Sequence, residues 1–192
     1  MFFSSMRILA LLLLPLCLSL PSCADDDDPV VPNEEEVITD VTFTLVPTTG
    51  TGETVVFSFV DRDGDGPVQP DTSQTGTLLP STTYNGKLTF TNASDTLDVE
   101  DVTAEVRTEA LDHQVFFTQT AGLNLTVTYA DVDTGGNPLG LETTVTTGAP
   151  SSGNFTIILR HEPDKSAAGV SISNPTPAGG ETDVEVTFAT SY

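Results

Sequence analysis

From Leu123 to Tyr129 the chain reads Leu-Asn-Leu-Thr-Val-Thr-Tyr, with apolar and polar residues in strict alternation. Successive side chains of an extended strand point to opposite faces, so this period buries one face and wets the other. A helix of the same sequence would scatter its apolar residues around its whole circumference and could bury none of them cleanly. The period returns in Val41-Thr-Phe-Thr-Leu45 and in Asp183-Val-Glu-Val-Thr-Phe188. A chain with this repeat must build half-buried β-sheet.

Reading outward from these segments predicts eight strands, at 37–46, 54–60, 86–91, 115–118, 123–129, 141–146, 155–159 and 183–188. Turn signals separate them. Thr48-Thr-Gly-Thr-Gly52 joins the first two, Asp61 to Ser73 reads as a loop, Tyr84-Asn85-Gly86 reads as a turn into the third strand, and Asp131 to Pro138 is Gly-rich. Residues 97–111 break the pattern. Val99, Val102, Val106 and Ala110 fall at helical spacing, with Asp98 placed to cap and Asp101 three residues later, although the β-branched valines also suit a strand. The fold class expected is all-β: an antiparallel β-sandwich, immunoglobulin-like in style, with one short helix, and a small barrel as the alternative.

The chain opens on a different pattern. Arg7 precedes an apolar run from Ile8 to Leu20, the layout of an export signal. The run falls short of the ~20 apolar residues that span a bilayer, and Pro15 interrupts it. Next come Cys23-Ala-Asp-Asp-Asp-Asp28, Pro29-Val-Val-Pro32 and Asn33-Glu-Glu-Glu36. So dense a run of like charges repels itself, and its prolines stiffen it. The expected organisation is a signal peptide over 1–22, an acidic disordered tether over 23–36 and a β-sandwich domain over 37–192.

The formal charge is −22, and losing Arg7 with residues 1–22 makes it −23. That charge repels nucleic acid and anionic membrane surfaces, so no nucleic-acid partner is expected. Cys17 lies in the signal, which leaves Cys23 as the single cysteine of the remainder and rules out an internal disulfide there.

Three places could carry chemistry. Asp61-Arg-Asp63-Gly-Asp65-Gly66 spaces three carboxylates at every second position before a glycine, the opening half of a calcium loop. Its second half fails, with Thr72 where a bidentate glutamate belongs, so the alternatives are a calcium loop between strands or a charged turn. Asp131-Val-Asp133-Thr-Gly-Gly-Asn137 is a weaker echo, more in keeping with an ordinary turn. His113 and His161 are the only histidines, each beside a carboxylate that could orient a ring. They could bind a transition metal or haem together if their strands are adjacent; otherwise they are surface residues at strand ends. No Gly-x-Ser-x-Gly elbow, phosphate loop or His-Glu-x-x-His segment occurs, and Trp is absent as a sugar platform, so no enzyme is expected.

Leu20-Pro21-Ser22-Cys23 resembles a bacterial lipobox. The resemblance implies cleavage before Cys23 and lipid on its thiol and new amino terminus, a membrane anchor of more than one acyl chain. Cys23-Ala-Asp-Asp-Asp-Asp28 resembles the export tag of surface lipoproteins of Bacteroidota. Together with Asp112-His-Gln-Val-Phe-Phe117, Gly140-Leu-Glu-Thr-Thr-Val145 and Leu159-Arg-His-Glu-Pro163, the chain resembles small lipoproteins of that group. That resemblance implies an outer-membrane, surface-exposed position and a TonB-dependent receptor as partner. The expected function is a binding or accessory module that captures a metal ion or small ligand for such a receptor. The alternative is a calcium-stabilised structural or adhesion module with no soluble ligand.

Overall fold

A computed structural model describes residues 36–64, 66 and 68–192. The signal peptide, Cys23 and the tether up to residue 35 lie outside the described residues, as does Asp65. Among the described residues no helix is long and apolar enough to cross a membrane.

Two antiparallel sheets form a sandwich. The larger has six strands in the order β3-β2-β1-β4-β7-β6, and the smaller three, β5-β8-β9. These are β1 (Asp40–Pro47), β2 (Val55–Val60), β3 (Asp71–Thr75), β4 (Thr83–Thr91), β5 (His113–Gln119), β6 (Leu125–Tyr129), β7 (Glu142–Thr147), β8 (Ser152–His161) and β9 (Glu181–Ser191). The alternation read from the sequence selects the inner faces. Val41, Phe43 and Leu45 of β1, Leu125 and Val127 of β6, and Val184, Val186 and Phe188 of β9 are all buried. The sheets meet on a cluster of phenylalanines. Phe43 stands 5.6 Å from Phe117 and 6.0 Å from Phe155, and Phe57 stands 5.3 Å from Phe188, ring centre to ring centre. Such tilted and offset pairs add to the burial of their area.

Four expectations are corrected. β3, inside the expected loop 61–73, is a strand of Asp-Thr-Ser-Gln-Thr with no apolar alternation; it forms because β2 offers it a ladder from Val56↔Thr75 to Val60↔Asp71. A short polar strand is how a sheet edge discourages further pairing. Tyr84-Asn85-Gly86 is not a turn but the interior of β4. Gly86 is there for packing, since a Cβ would lie 2.9 Å from two Phe43 ring carbons. The helix α1 runs only Val102–Thr108, capped by Asp101 rather than Asp98. Asn92 and Glu100 exchange backbone hydrogen bonds of 3.2 and 3.0 Å, which close the residues between them into a turned loop and keep Glu100 extended just before the cap. Finally, Glu36 is not part of a free tether; it is buried against the small sheet.

The outer edge of β5 is closed by irregular chain. Val115 N–H donates to Leu139 O at 2.7 Å and Phe117 N–H to Ile172 O at 2.8 Å. Phe116, Ile158 and Ala178 form a second small core on the back of that sheet, with Val170 against it.

Enlarging Gly86 tests the packing argument. Gly86→Val should destabilise by about 1–3 kcal/mol through overpacking against Phe43. In urea denaturation the midpoint should fall with the m-value unchanged, because the surface exposed on unfolding is the same.

Candidate metal centre

Antiparallel register brings the two histidines together. β5 and β8 pair from Gln119↔Phe155 to His113↔His161, so the imidazoles lie directly opposite each other. His113 shares the face of Val115 and Phe117, and His161 that of Ile157 and Leu159, so both rings turn inward. They are 0% and 4% exposed, and their ring centres stand 4.8 Å apart at 77°.

Two carboxylates close the site. β9 carries a bulge: Leu159 pairs with Val184 but Arg160 with Thr182, leaving Asp183 as the extra residue. Simple alternation from Val184 would turn Asp183 outward, and the bulge re-aims it. Its side chain is fully enclosed. Glu36 arrives from the segment before β1. It spans both rings, with Oε1 2.8 Å from His113 Nε2 and Oε2 3.1 Å from His161 Nδ1. Asp183 does the same at longer range, Oδ2 3.7 Å from His113 Nε2 and Oδ1 3.7 Å from His161 Nδ1. One ligand atom from each of the four residues can be chosen so that all lie within 4.8 Å of one another.

The hydrogen bonds of this cluster are incomplete. His113 Nδ1 lies 3.1 Å from Glu109 O at the end of α1. A carbonyl can only accept, so Nδ1 carries the proton and a neutral ring presents its lone pair at Nε2. That atom faces Glu36 and Asp183, with a lone pair when the ring is neutral and a second N–H when it is protonated. Its contact with Glu36 is short but lies outside hydrogen-bond geometry, and neither oxygen of Asp183 has a hydrogen-bond partner. Burial, then the charge of Glu36, push Asp183 up to about 7. Burial also raises Glu36, but the contacts of His113 and then His161 outweigh it and hold Glu36 below its ordinary value. Burial depresses His161, while Glu36 and then Asp183 outweigh it and raise its pKa. A cation among the four groups would give both carboxylates and one nitrogen of each ring a partner, leaving only His161 Nε2 without one.

The other expected sites behave differently. Asp63 accepts Val68 N–H at 3.1 Å, closing its own turn, and Arg62 pairs with Asp40 at 3.1 Å. Asp61 and Asp63 join no convergent set of ligand atoms among the described residues. The oxygens of Asp131 accept Gly140 N–H at 2.7 Å and Glu142 N–H at 3.0 Å. Asp133 Oδ1 accepts Gly135 and Asn137 N–H at 2.8 and 2.9 Å, and Oδ2 meets the buried Lys165 ammonium at 2.9 Å. These carboxylates brace a loop, as the turn reading expects.

Sequence reasoning found the histidines and missed both carboxylates. Glu36 is the last of three glutamates and nothing local separates it from the other two. Asp183 belongs by alternation to the wet face. Compared with known proteins, the chain matches no family model, no curated protein and no solved structure.

The Asp133–Lys165 pair makes a pH prediction. Burial raises the Asp133 pKa, but Lys165 first and the N–H groups of Asn137 and Gly135 outweigh it, holding it below its ordinary 3.8. A depressed carboxylate stabilises the fold fully above its unfolded pKa and loses that contribution as pH falls through the folded one. Asp133→Asn should therefore cost about 3 kcal/mol at pH 7, as expected for a broken buried pair. The deficit, read from denaturant melts, should shrink only as pH falls below about 4.

Proposed function

We propose that this chain is a lipid-anchored outer-membrane accessory protein whose β-sandwich binds one divalent transition-metal ion through Glu36, His113, His161 and Asp183. The observation that carries the metal reading is the set of two imidazole nitrogens and two buried carboxylates turned toward one point, with Asp183 lacking any hydrogen-bond donor. A tetrahedron of ~2.1 Å bonds has edges of about 3.4 Å. Ligand atoms taken one from each residue already lie within 4.8 Å of one another, so a metal would draw the wider pairs in toward that edge.

The ligand set favours zinc, manganese or ferrous iron. Imidazole suits transition metals and carboxylate suits harder ions, whereas calcium prefers oxygen alone. Glu109 O, by holding the proton on His113 Nδ1, acts as the outer partner that orients a metal-binding histidine. Four enclosed protein ligands describe a closed site that stabilises a fold, rather than one that keeps a position open for a substrate. The metal is thus read as support for an accessory module. The lipobox, the acidic tag and the resemblance to Bacteroidota lipoproteins support the anchored, surface-exposed placement and a TonB-dependent receptor as partner.

Thermal melts of the chain from Cys23 onward, stripped with chelator and reloaded with zinc, manganese, ferrous iron or calcium, test the metal. A ligand at 100 times its Kd stabilises by about 2.7 kcal/mol. At least one transition metal should raise the Tm by several degrees at one ion per chain, and His113→Ala with His161→Ala should abolish the rise. A rise with calcium alone, or one that survives the double substitution, would overturn the assignment.

A further inference from the structure

Three of the four ligands stand on one rigid frame. His113, His161 and Asp183 belong to neighbouring strands of the three-stranded sheet, β5, β8 and β9. Glu36 does not. It sits four residues before Asp40, where β1 of the opposite sheet begins, and it is separated from His161 by 125 residues of chain. We infer that the metal is a clasp: by recruiting Glu36 it fastens the segment leading into β1 onto the three-stranded sheet, so that loading the site and docking this segment are one event. The inference rests on the metal site proposed above.

The attachments of this segment are divided. From Thr39 onward the large sheet holds it: Thr39 N–H donates to Thr91 O at 3.0 Å, Asp61 N–H to Thr39 O at 2.7 Å, and Ala93 N–H to Thr39 Oγ1 at 2.8 Å. Ile38 packs against the core, and Val37 is 62% exposed. Among the described residues no backbone hydrogen bond ties Glu36 or Val37 to either sheet. Glu36 is instead held by its carboxylate, which is 4% exposed and directed at His113 and His161. That carboxylate also faces the Asp183 carboxyl group in the same enclosed site. Without a cation the two carboxylates oppose each other's burial, and with one they are drawn to a common centre. The docking of Glu36 therefore depends on what lies between the four groups. The consequence reaches the anchor, because the chain N-terminal to Glu36 leads back to Cys23. The loaded clasp ties the segment from Glu36 to Thr39 to both sheets, while the open one leaves it tied through Thr39 to the large sheet alone.

The test uses the chain from Cys23 onward and zinc as the probe. A glutamate-specific protease can cut the Glu36–Val37 bond, and the fragment beginning at Val37 is recognised by its mass. Zinc should slow that cut at least about tenfold in the parent and leave it unchanged in the protein carrying His113→Ala and His161→Ala. Glu36→Ala should bind zinc at least about tenfold more weakly, since even outer partners of a metal ligand cost about 10–100-fold. If zinc binds the parent and Glu36→Ala equally well and leaves the Glu36–Val37 cut of the parent unchanged, the clasp is wrong and the metal site is reduced to His113, His161 and Asp183. If zinc, manganese and ferrous iron all fail to bind the parent, the site and the clasp fall together.

Discussion

The pairing of His113 with His161 across β5 and β8 places two ionisable rings at the end of an apolar face, out of reach of water. Burying a polar group is costly unless a partner replaces the water it loses. Two carboxylates supply that partner in the fold, and they come from distant parts of the chain. Each then has its own burial to offset, and Asp183 is left without a donor. The cluster therefore calls for positive charge. Protons supply it in part, as the raised pKa values of His161 and Asp183 indicate. A divalent metal, in the reading proposed here, supplies it fully.

This arrangement contrasts with the carboxylates that the sequence makes conspicuous. The loop at Asp131 satisfies most of its carboxylate oxygens from its own backbone, and in the described part of the Asp61 loop Asp63 closes its own turn while Asp61 Oδ1 stays without a partner. Asp63 accepts from Val68, Asp131 from Gly140 and Glu142, and Asp133 from Gly135 and Asn137. Short-range patterns of aspartate and glycine serve turns well because their donors lie a few residues away. The cluster at the sheet end has little such local supply. Apart from Glu109 O on His113, its partners come from other strands and from the segment before β1.

The supporting architecture is ordinary by comparison. Phenylalanines from both sheets interlock at the centre, Gly86 makes room for Phe43, and irregular chain closes the outer edge of β5. These features hold β5, β8 and β9 in register, and register carries His113 opposite His161. The sandwich is in this sense the scaffold of the site.

The sequence alone determined the fold class. Alternation in Val41–Leu45, Leu123–Tyr129 and Val184–Phe188 names the inner face of each strand because the pleat has a period of two. It also pointed to His113 and His161, the only imidazoles in the chain. It did not reveal β3, whose polar residues carry no period and whose extended form comes from pairing with β2. Nor did it reveal Glu36, one of three adjacent glutamates, or Asp183, which alternation assigns to the wet face. Tertiary structure chose those two, through a β-bulge that turns one side chain inward and a path before β1 that brings the other to the opposite sheet. Local sequence encodes which way a side chain faces along a strand, while convergence depends on register and on chain paths between distant segments.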